Sequence, residues 1–371
     1  MSNSIKKPYG ILLEIGRILF GIVFIFSGFV KAIDPLGSTY KIEDYLRTFG
    51  GFFEVLADVA FPLAIALSTL ELLIGFNMIL KIHINFTSII GFLFMMVMTP
   101  LTLYIAIKNP VTDCGCFGDA LIIGNWTTFF KNVVLITIVT LMLIYNTHPK
   151  LYFSKKVQYY GAFLTVLLGC SISIYSYRHL PMFDFLPYKV GLDINKAMEI
   201  PENAPKDQYQ TTFIYEREGE KKEFTLENYP KNDSTWIFVD QKSVLIKKGF
   251  TPLIHDFSIM NGQFDDITHE VLTNNTKTFL VTMFDLTDAS IKGAQKCEIL
   301  YQKCLQSGVK FYALTASNDA DIKKFRDKSG VTYPFWKTDP TTLKTIIRAN
   351  PGIVELKAGK IMGKWNWRDF K

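Results

Sequence analysis

The chain has 371 residues, 49% of them hydrophobic and 14% aromatic, with a net charge of +6. That length allows two domains or more, and the hydrophobic share suits a chain that is part membrane and part soluble. Basic residues form no stripe with interleaved aromatics, which argues against nucleic acid as a partner. Five cysteines are too few for a disulfide scaffold. The five histidines never fall at metal-ligand spacing and no Gly-rich phosphate loop occurs, so no metal site is expected.

In chain order, five apolar stretches reach the roughly 20 residues that cross a bilayer core: 11–30, 52–80, 84–107, 126–145 and 157–177. The first carries Glu14 and Arg17 and lacks a small-x-small exit site, so it is not a cleavable signal. With a cytoplasmic N-terminus, Lys6, Lys7, Lys81, Lys150, Lys155 and Lys156 all lie inside. The opposite loops hold Lys41, Arg47 and Lys108, with Lys31 at a span edge, diluted by Asp34, Glu43, Asp44, Asp113 and Asp119. This lysine bias sets the orientation. The expected location is a bacterial inner membrane, crossed five times, with the C-terminal half in the periplasm, where disulfides form and persist.

Charges inside a bilayer are costly and are paired or functional. Arg17 and Glu71 are expected to pair, with Glu14, three residues from Arg17, as the competitor. Lys31 is expected to meet Asp58 or Glu54. Helix packing is the preferred reading of these pairs, ahead of a proton relay. Pro62 and Pro100 are expected to shape packing, and Cys170 in the fifth stretch reads as a small apolar residue.

Between the third and fourth stretches lies "TDCGCFGD", residues 112–119. Cysteines two apart on extended backbone have Cα atoms about 6.6 Å apart, at the upper edge of disulfide range. A turn at Gly115 shortens that, and glycine tolerates the angles a tight Cys-x-Cys ring imposes. A strained pair suits thiol exchange better than stapling. Asn125 is placed as the N-cap of the fourth span and Lys131 near its outer end. A helix N-terminus and a cation each lower a thiol's pKa, while Asp113 and Asp119 oppose them. The competing readings of Cys114 and Cys116 are a static staple and an incomplete soft-metal site.

After residue 178 the chain becomes polar. Residues 181–248 are expected to be β-rich, with a hairpin around "EGEKK" and a strand in "TWIFVDQKSVLI", packing on the segment beyond 249. From 249 onward the order is a short hairpin, a buried strand at "KTFLVTMFDL", and a helix ended by glycine at "DASIKGAQKCEILYQKCLQSG". A strand at "VKFYALTA", a capped helix at "SNDADIKKFRDKSG", a helix capped by Asp339 and two closing strands complete an α/β sandwich. Cys297 and Cys304 lie seven residues, about 10 Å, apart on one helix, too far for a direct bridge.

"DCGCFGD" followed by "NWTTFFKNVVL", with "GRILFGIVFIFSGFVKAIDP" and "ELLIG", resembles the MauE branch of the DoxX-like membrane proteins over residues 10–150. The resemblance implies a four-helix bundle associated with periplasmic disulfide or sulfur redox chemistry. A looser likeness of architecture is to quinone-coupled membrane thiol oxidases of the DsbB and vitamin K epoxide reductase type. "GFTPLIHDFSIMNGQFDDIT" and "NPGIVEL" resemble a thioredoxin-like domain of the TlpA and peroxiredoxin type, with Pro351 at the family's cis-proline position. Where that family keeps its cysteine pair, this chain reads "DLTDASIKG", without cysteine.

The expected architecture is therefore a multi-pass α-helical membrane bundle followed by an α/β thioredoxin-like domain. Its parts are a four-helix domain (1–150), a fifth span (151–180), a β-rich connector (181–248) and a thioredoxin-like domain without CxxC (249–371). The expected function is thiol–disulfide exchange at Cys114 and Cys116, coupled to a membrane quinone, with the soluble domain binding a periplasmic thiol-containing client. The alternative is a non-catalytic, membrane-anchored assembly factor with a structural cysteine pair. A transporter is a third reading, weakened by the lack of a repeat or broken-helix pattern.

Overall fold

The computed structural model describes residues 6–109, 114–145, 153–231 and 233–371, with side chains from residue 10 onward. The sequence expectations for the Lys6, Lys7, Asp113 and Lys150 side chains lie outside the described residues.

Helix α1 (Lys6–Ile33) is followed at once by α2 (Pro35–Phe49). The short α3 (Phe52–Leu56), a 3-10 turn (Ala57–Val59) and α4 (Ala60–Leu80) make the second apolar stretch. Then come α5 (Ile84–Lys108), α6 (Asn125–Tyr145) and α7 (Lys155–Arg178). Five helical segments are long and apolar enough to span a bilayer: Gly10–Ile33, Phe52–Leu80, Ile84–Lys108, Asn125–Tyr145 and Lys155–Arg178. Large side chains such as Ile11, Leu93, Phe163 and Leu164 are exposed on them, as a lipid environment requires.

Small residues bring α1 and α4 into backbone contact. A methyl added at Gly28 would stand 2.7 Å from the Leu72 nitrogen and the Ser68 carbonyl oxygen. One added at Gly75 would stand 2.7 Å from the Ile25 nitrogen. Close approach of this kind is how helices associate in lipid, where apolar area alone gives little drive. Phe20, Phe24, Ile74, Met78, Met95 and Val139 fill the space between these helices and α5 and α6. Pro62 lies in the first turn of α4, while Pro100 is inside α5.

Beyond α7 the chain forms α8 (Ile194–Met198) and a three-stranded antiparallel sheet of β1 (Gln208–Arg217), β2 (Glu220–Thr225) and β3 (Ile237–Lys247), in the order β2-β1-β3. The hairpin between β1 and β2 turns on Glu218 (φ 52°) and Gly219 (φ 86°). Two consecutive positive φ angles are those of a two-residue type I′ turn. Contrary to expectation, this sheet does not pack on the α/β unit beyond it: every residue of β3 is exposed. Its tie to the next segment is local, with the Gly249 N–H donating to Asp207 and the Phe250 N–H to the Pro205 carbonyl.

The last unit contains α9 (Thr268–Thr273), β4 (Lys277–Met283), α10 (Ile291–Ser307), β5 (Lys310–Thr315), α11 (Asp319–Ser329), β6 (Phe335–Lys337), α12 (Pro340–Ile346), β7 (Gly352–Lys357) and β8 (Lys360–Asn366). Its five strands run in the order β6-β5-β4-β7-β8. β4 is parallel to β5 and antiparallel to β7. Ser290, Asn318 and Asp339 each accept a backbone N–H from the first turn of their helix, the N-cap bond that short polar side chains supply. The expected N-terminal hairpin is reduced to one bridge, Met260 to Asp266, with Met260 also bridging Lys337. The Asn350–Pro351 peptide is cis.

Two polar contacts join this unit to the bundle. At the end of α7, Asn366 Nδ2 donates to the His179 carbonyl at 2.8 Å and His179 pairs with Asp369 at 2.6 Å. At the opposite edge, Arg348 reaches the end of α1 and the Cys-x-Cys loop. The loop, α2 and the α/β unit thus share one end of the bundle.

Candidate functional site

The turn that carries the cysteines is built around two glycines. Gly115 has φ +64° and Gly118 φ +52°, a region glycine occupies without a steric penalty. The Gly118 N–H donates to the Gly115 carbonyl at 3.0 Å. A side chain on Gly115 would also run into Lys41 of α2. This turn folds the pair so that the Cys114 and Cys116 sulfurs lie 3.2 Å apart, both buried. A disulfide bond is about 2.05 Å, so closure takes a movement of only about 1 Å.

One flank of the pair is polar. Ser27 Oγ donates to the Cys116 carbonyl at 2.7 Å. Lys31 Nζ donates to Ser27 Oγ at 3.1 Å and to Glu71 Oε1 at 2.6 Å. A cavity of about 30 Å³ is bounded here by Ser27, Lys31, Glu71, Cys116, Lys131 and Asn132. That volume holds one water. Glu71 is 3% exposed, and its Oε2 has no hydrogen-bond partner among the described residues. Lys131 Nζ sits 4.4 Å from the centroid of the Phe117 ring.

The other flank is apolar. A pocket of about 440 Å³ opens between α2 and α5 and reaches both cysteines. Tyr45, Leu101 and Ile105 pack with Cys114 and Cys116.

The electrostatic result differs between the two thiols. The hydrogen bond from Cys114 lowers the Cys116 pKa, against burial, with Lys131 and Lys31 adding to the lowering. The same bond, with burial, raises Cys114. A thiol pair that shares one proton next to cations favours a single thiolate. Asp119, counted from sequence as opposing this, is engaged elsewhere: it pairs with Arg348 at 2.8 Å and lies 3.9 Å from Lys41.

Several sequence expectations are corrected here. Arg17 does not pair with Glu71. It pairs with Glu14 at 2.8 Å and donates to the Met78 and Ile79 carbonyls, while Lys81 pairs with Glu14 at 2.8 Å. Lys31 does not meet Asp58 or Glu54; its partner is Glu71. The reason is depth. Counting from residue 52 put Glu71 level with Arg17, but the helix is interrupted at Ala57–Val59 and α4 starts only at Ala60. The glycine contacts then set Leu72 beside Gly28, within reach of Lys31 and far from Arg17. Asn125 stands at the first helical position of α6, because the Thr128 N–H donates to the Gly124 carbonyl. Its side chain donates to Asn109 Oδ1 at 2.8 Å.

Sequence reading missed α2 and Arg348. The guanidinium of Arg348 donates to both Asp34 oxygens (3.1 and 2.9 Å) and to Asp119 (2.8 Å). Burial opposes its charge, and Asp34 and Asp119 outweigh that. Tyr40 lies against it, 5.5 Å from ring centroid to Cζ. The sequence signal for α2 was Asp34-Pro35, an N-cap followed by proline in the first turn; Asp34 accepts the Gly37 N–H at 2.9 Å. Elsewhere, Cys297 and Cys304 are both in the core of the α/β unit, and Cys170 Sγ lies 3.8 Å from Thr69 Oγ1. Among the described residues no group of His, Cys, Asp or Glu is arranged to hold a metal ion.

Residues 9–145 match the family described as methylamine utilisation protein MauE, and residues 209–248 match a domain of unknown function, DUF8463. Residues 9–145 are thus a MauE-type membrane domain within a multi-pass membrane protein. No curated protein and no solved structure matches the chain.

Proposed function

We propose that the chain is a membrane thiol–disulfide oxidoreductase, or a subunit of one. In this reading Cys114 and Cys116 alternate between dithiol and disulfide and pass electrons from a periplasmic thiol to a membrane quinone. The observation that carries it is the pair itself: two sulfurs 3.2 Å apart on a glycine turn, with lysines on one side and an apolar pocket on the other. A low-pKa thiol beside a cation is the attacking group of exchange chemistry. The lysine bias assigns the loop to the periplasmic face of a bacterial inner membrane.

The C-terminal unit is read as thioredoxin-like. Its strand order, its central parallel β4–β5 pair and the cis peptide before Pro351 support this. The segment after β4 carries no cysteine, so it works by binding. Arg348 seats it on the Cys loop, where it can present a client's thiol. The domain partition is 1–150, 151–180, 181–248 and 249–371. The family description links its members to methylamine utilisation; residues 181–371 add a partner-binding unit outside that match.

Cys114→Ser and Cys116→Ser should each abolish thiol-dependent quinone reduction by the purified full chain. Retained turnover in either variant sinks the proposal. The seating of a cysteine-free domain on a buried pair also favours a second reading, an anchored assembly factor with a structural disulfide. Thiol trapping in native membranes separates them: a pair that stays oxidised against strong reductant fits the second reading alone.

A further inference from the structure

Resting on the thiol-exchange reading, we propose that the apolar pocket between α2 and α5 is the binding site of an isoprenoid quinone. The ring stands against Cys114 and Cys116, and the tail leaves towards the lipid.

The pocket's volume of about 440 Å³ falls in the range of small-molecule sites, roughly 300–1,000 Å³. Its walls come from α2 (Tyr45, Leu46, Phe49) and α5 (Leu101, Ile105), and both cysteines close its inner end. Polar groups gather at that sulfur end alone: Lys31, Asp34, Lys41 and Asp119. At the other end Phe49, Phe53 and Val97 line the pocket and are 39%, 48% and 66% exposed. Val97 lies in a membrane-spanning helix, so this end opens to the acyl chains, not to water.

These features select the occupant. A hydrophilic disulfide gains nothing in a mouth lined by Phe49, Phe53 and Val97. A lipid acyl chain fits the walls but accepts no electrons, and it leaves the polar end unused. An isoprenoid quinone has a flat, electron-accepting head with carbonyl oxygens for that end, and an apolar tail for the mouth. The step balances. The two thiols lose two electrons and two protons as the sulfur–sulfur bond forms, and the quinone takes up both to become the hydroquinone. Lys31 lines both this pocket and the water-sized cavity that holds Glu71. It is the polar group shared by the two flanks of the sulfur pair.

The test uses the full chain in lipid nanodiscs. An azido-ubiquinone is photo-crosslinked to wild-type protein and to the Cys114→Ser/Cys116→Ser variant, and the labelled peptides are mapped. Anaerobic reoxidation of the reduced pair by decylubiquinone is timed in wild type, Leu46→Trp and Leu101→Trp. The expected result is labelling within residues 35–53 and 93–119 in both proteins, with reoxidation slowed about tenfold or more by each tryptophan, as filling a pocket costs binding. Reduction of the pair by a soluble thiol should be unchanged in both tryptophan variants, which shows that they fold. Labelling elsewhere, or no labelling because acyl chains hold the pocket, overturns the site. So does reoxidation of both tryptophan variants at the wild-type rate, and in that case the exchange reading stands. Pocket labelling of a wild-type pair that quinone never reoxidises keeps the site and removes the exchange reading.

Discussion

The molecule holds two pairs of buried cysteines, and their surroundings differ in every respect but burial. Cys297 and Cys304 lie on one face of α10, packed among Phe279, Val281, Ala313 and Tyr333. Burial pushes the Cys297 thiol up to about 12 and raises Cys304. Cys114 and Cys116 are also enclosed, yet Cys116 is lowered, because Cys114 donates to it and Lys131 and Lys31 stand near. Helical spacing keeps the first pair apart, and a glycine turn brings the second together. The comparison separates burial from inertness. An enclosed thiol becomes reactive when a donor, a cation and an open volume face it.

The largest effect is expected where the second pair's support is cut. Lys31→Met leaves the Glu71 carboxylate buried without its cation, and breaking a buried ion pair costs about 3–5 kcal/mol. Denaturant or thermal unfolding in detergent should show that loss, and adding Glu71→Leu should recover most of it. Cys297→Ala removes only a small apolar group from a packed core, so its cost should be clearly smaller. Equal losses for Lys31→Met and Cys297→Ala would mean that the ion pair is not what holds this end of α1 and α4 together.

The next effect is reactivity. In the folded protein a small permeant maleimide should alkylate Cys116 at least about tenfold faster than Cys297, since each unit of pKa depression is a tenfold gain in thiolate at neutral pH. Because the Cys116 pKa is lowered, its rate should already be high near neutral pH and should fall only as the pH drops below the ordinary thiol range. Cys297, raised, should gain rate only at alkaline pH. Peptide-resolved labelling across a pH series reads both, and parallel profiles would erase the contrast.

How much of this contrast was legible in the sequence depends on the range of each interaction. The five spans, the Gly115 turn, the Glu218–Gly219 hairpin and the caps at Ser290, Asn318 and Asp339 are local, and residue type and spacing announce them. Helix α2 was hidden because its charged and apolar residues alternate at helical spacing with no net hydropathy; only its Asp34-Pro35 start marked it. The Lys31–Glu71 pair was missed because depth was counted along an unbroken helix. The Arg348 contacts join residues 314 and 229 positions apart, and no periodicity encodes such a meeting. The apolar pocket was illegible for the same reason, since it exists only between elements distant in the chain.

The smallest effect sharpens the role of the docked domain. Arg348 binds both Asp34 and Asp119, and Asp119 closes the turn that carries the cysteines. Arg348→Ala removes hydrogen bonds to two carboxylates, each charge-assisted bond contributing about 1.5–3 kcal/mol. Both carboxylates are partly exposed and reach water once freed, so much of that is returned, and global stability should change little. The local consequence should be plain: the loop loosens, and a membrane-impermeant maleimide added from the domain side should label Cys114 and Cys116 severalfold faster than in wild type. Labelling of Cys297 and Cys304 should not move, because their core is remote from the contact. A rise at all four cysteines would instead mean that the α/β unit unfolds without its seat. An unchanged rate at Cys114 and Cys116 would mean that the domain does not guard the pair, and its partner-binding face would have to be sought away from the membrane.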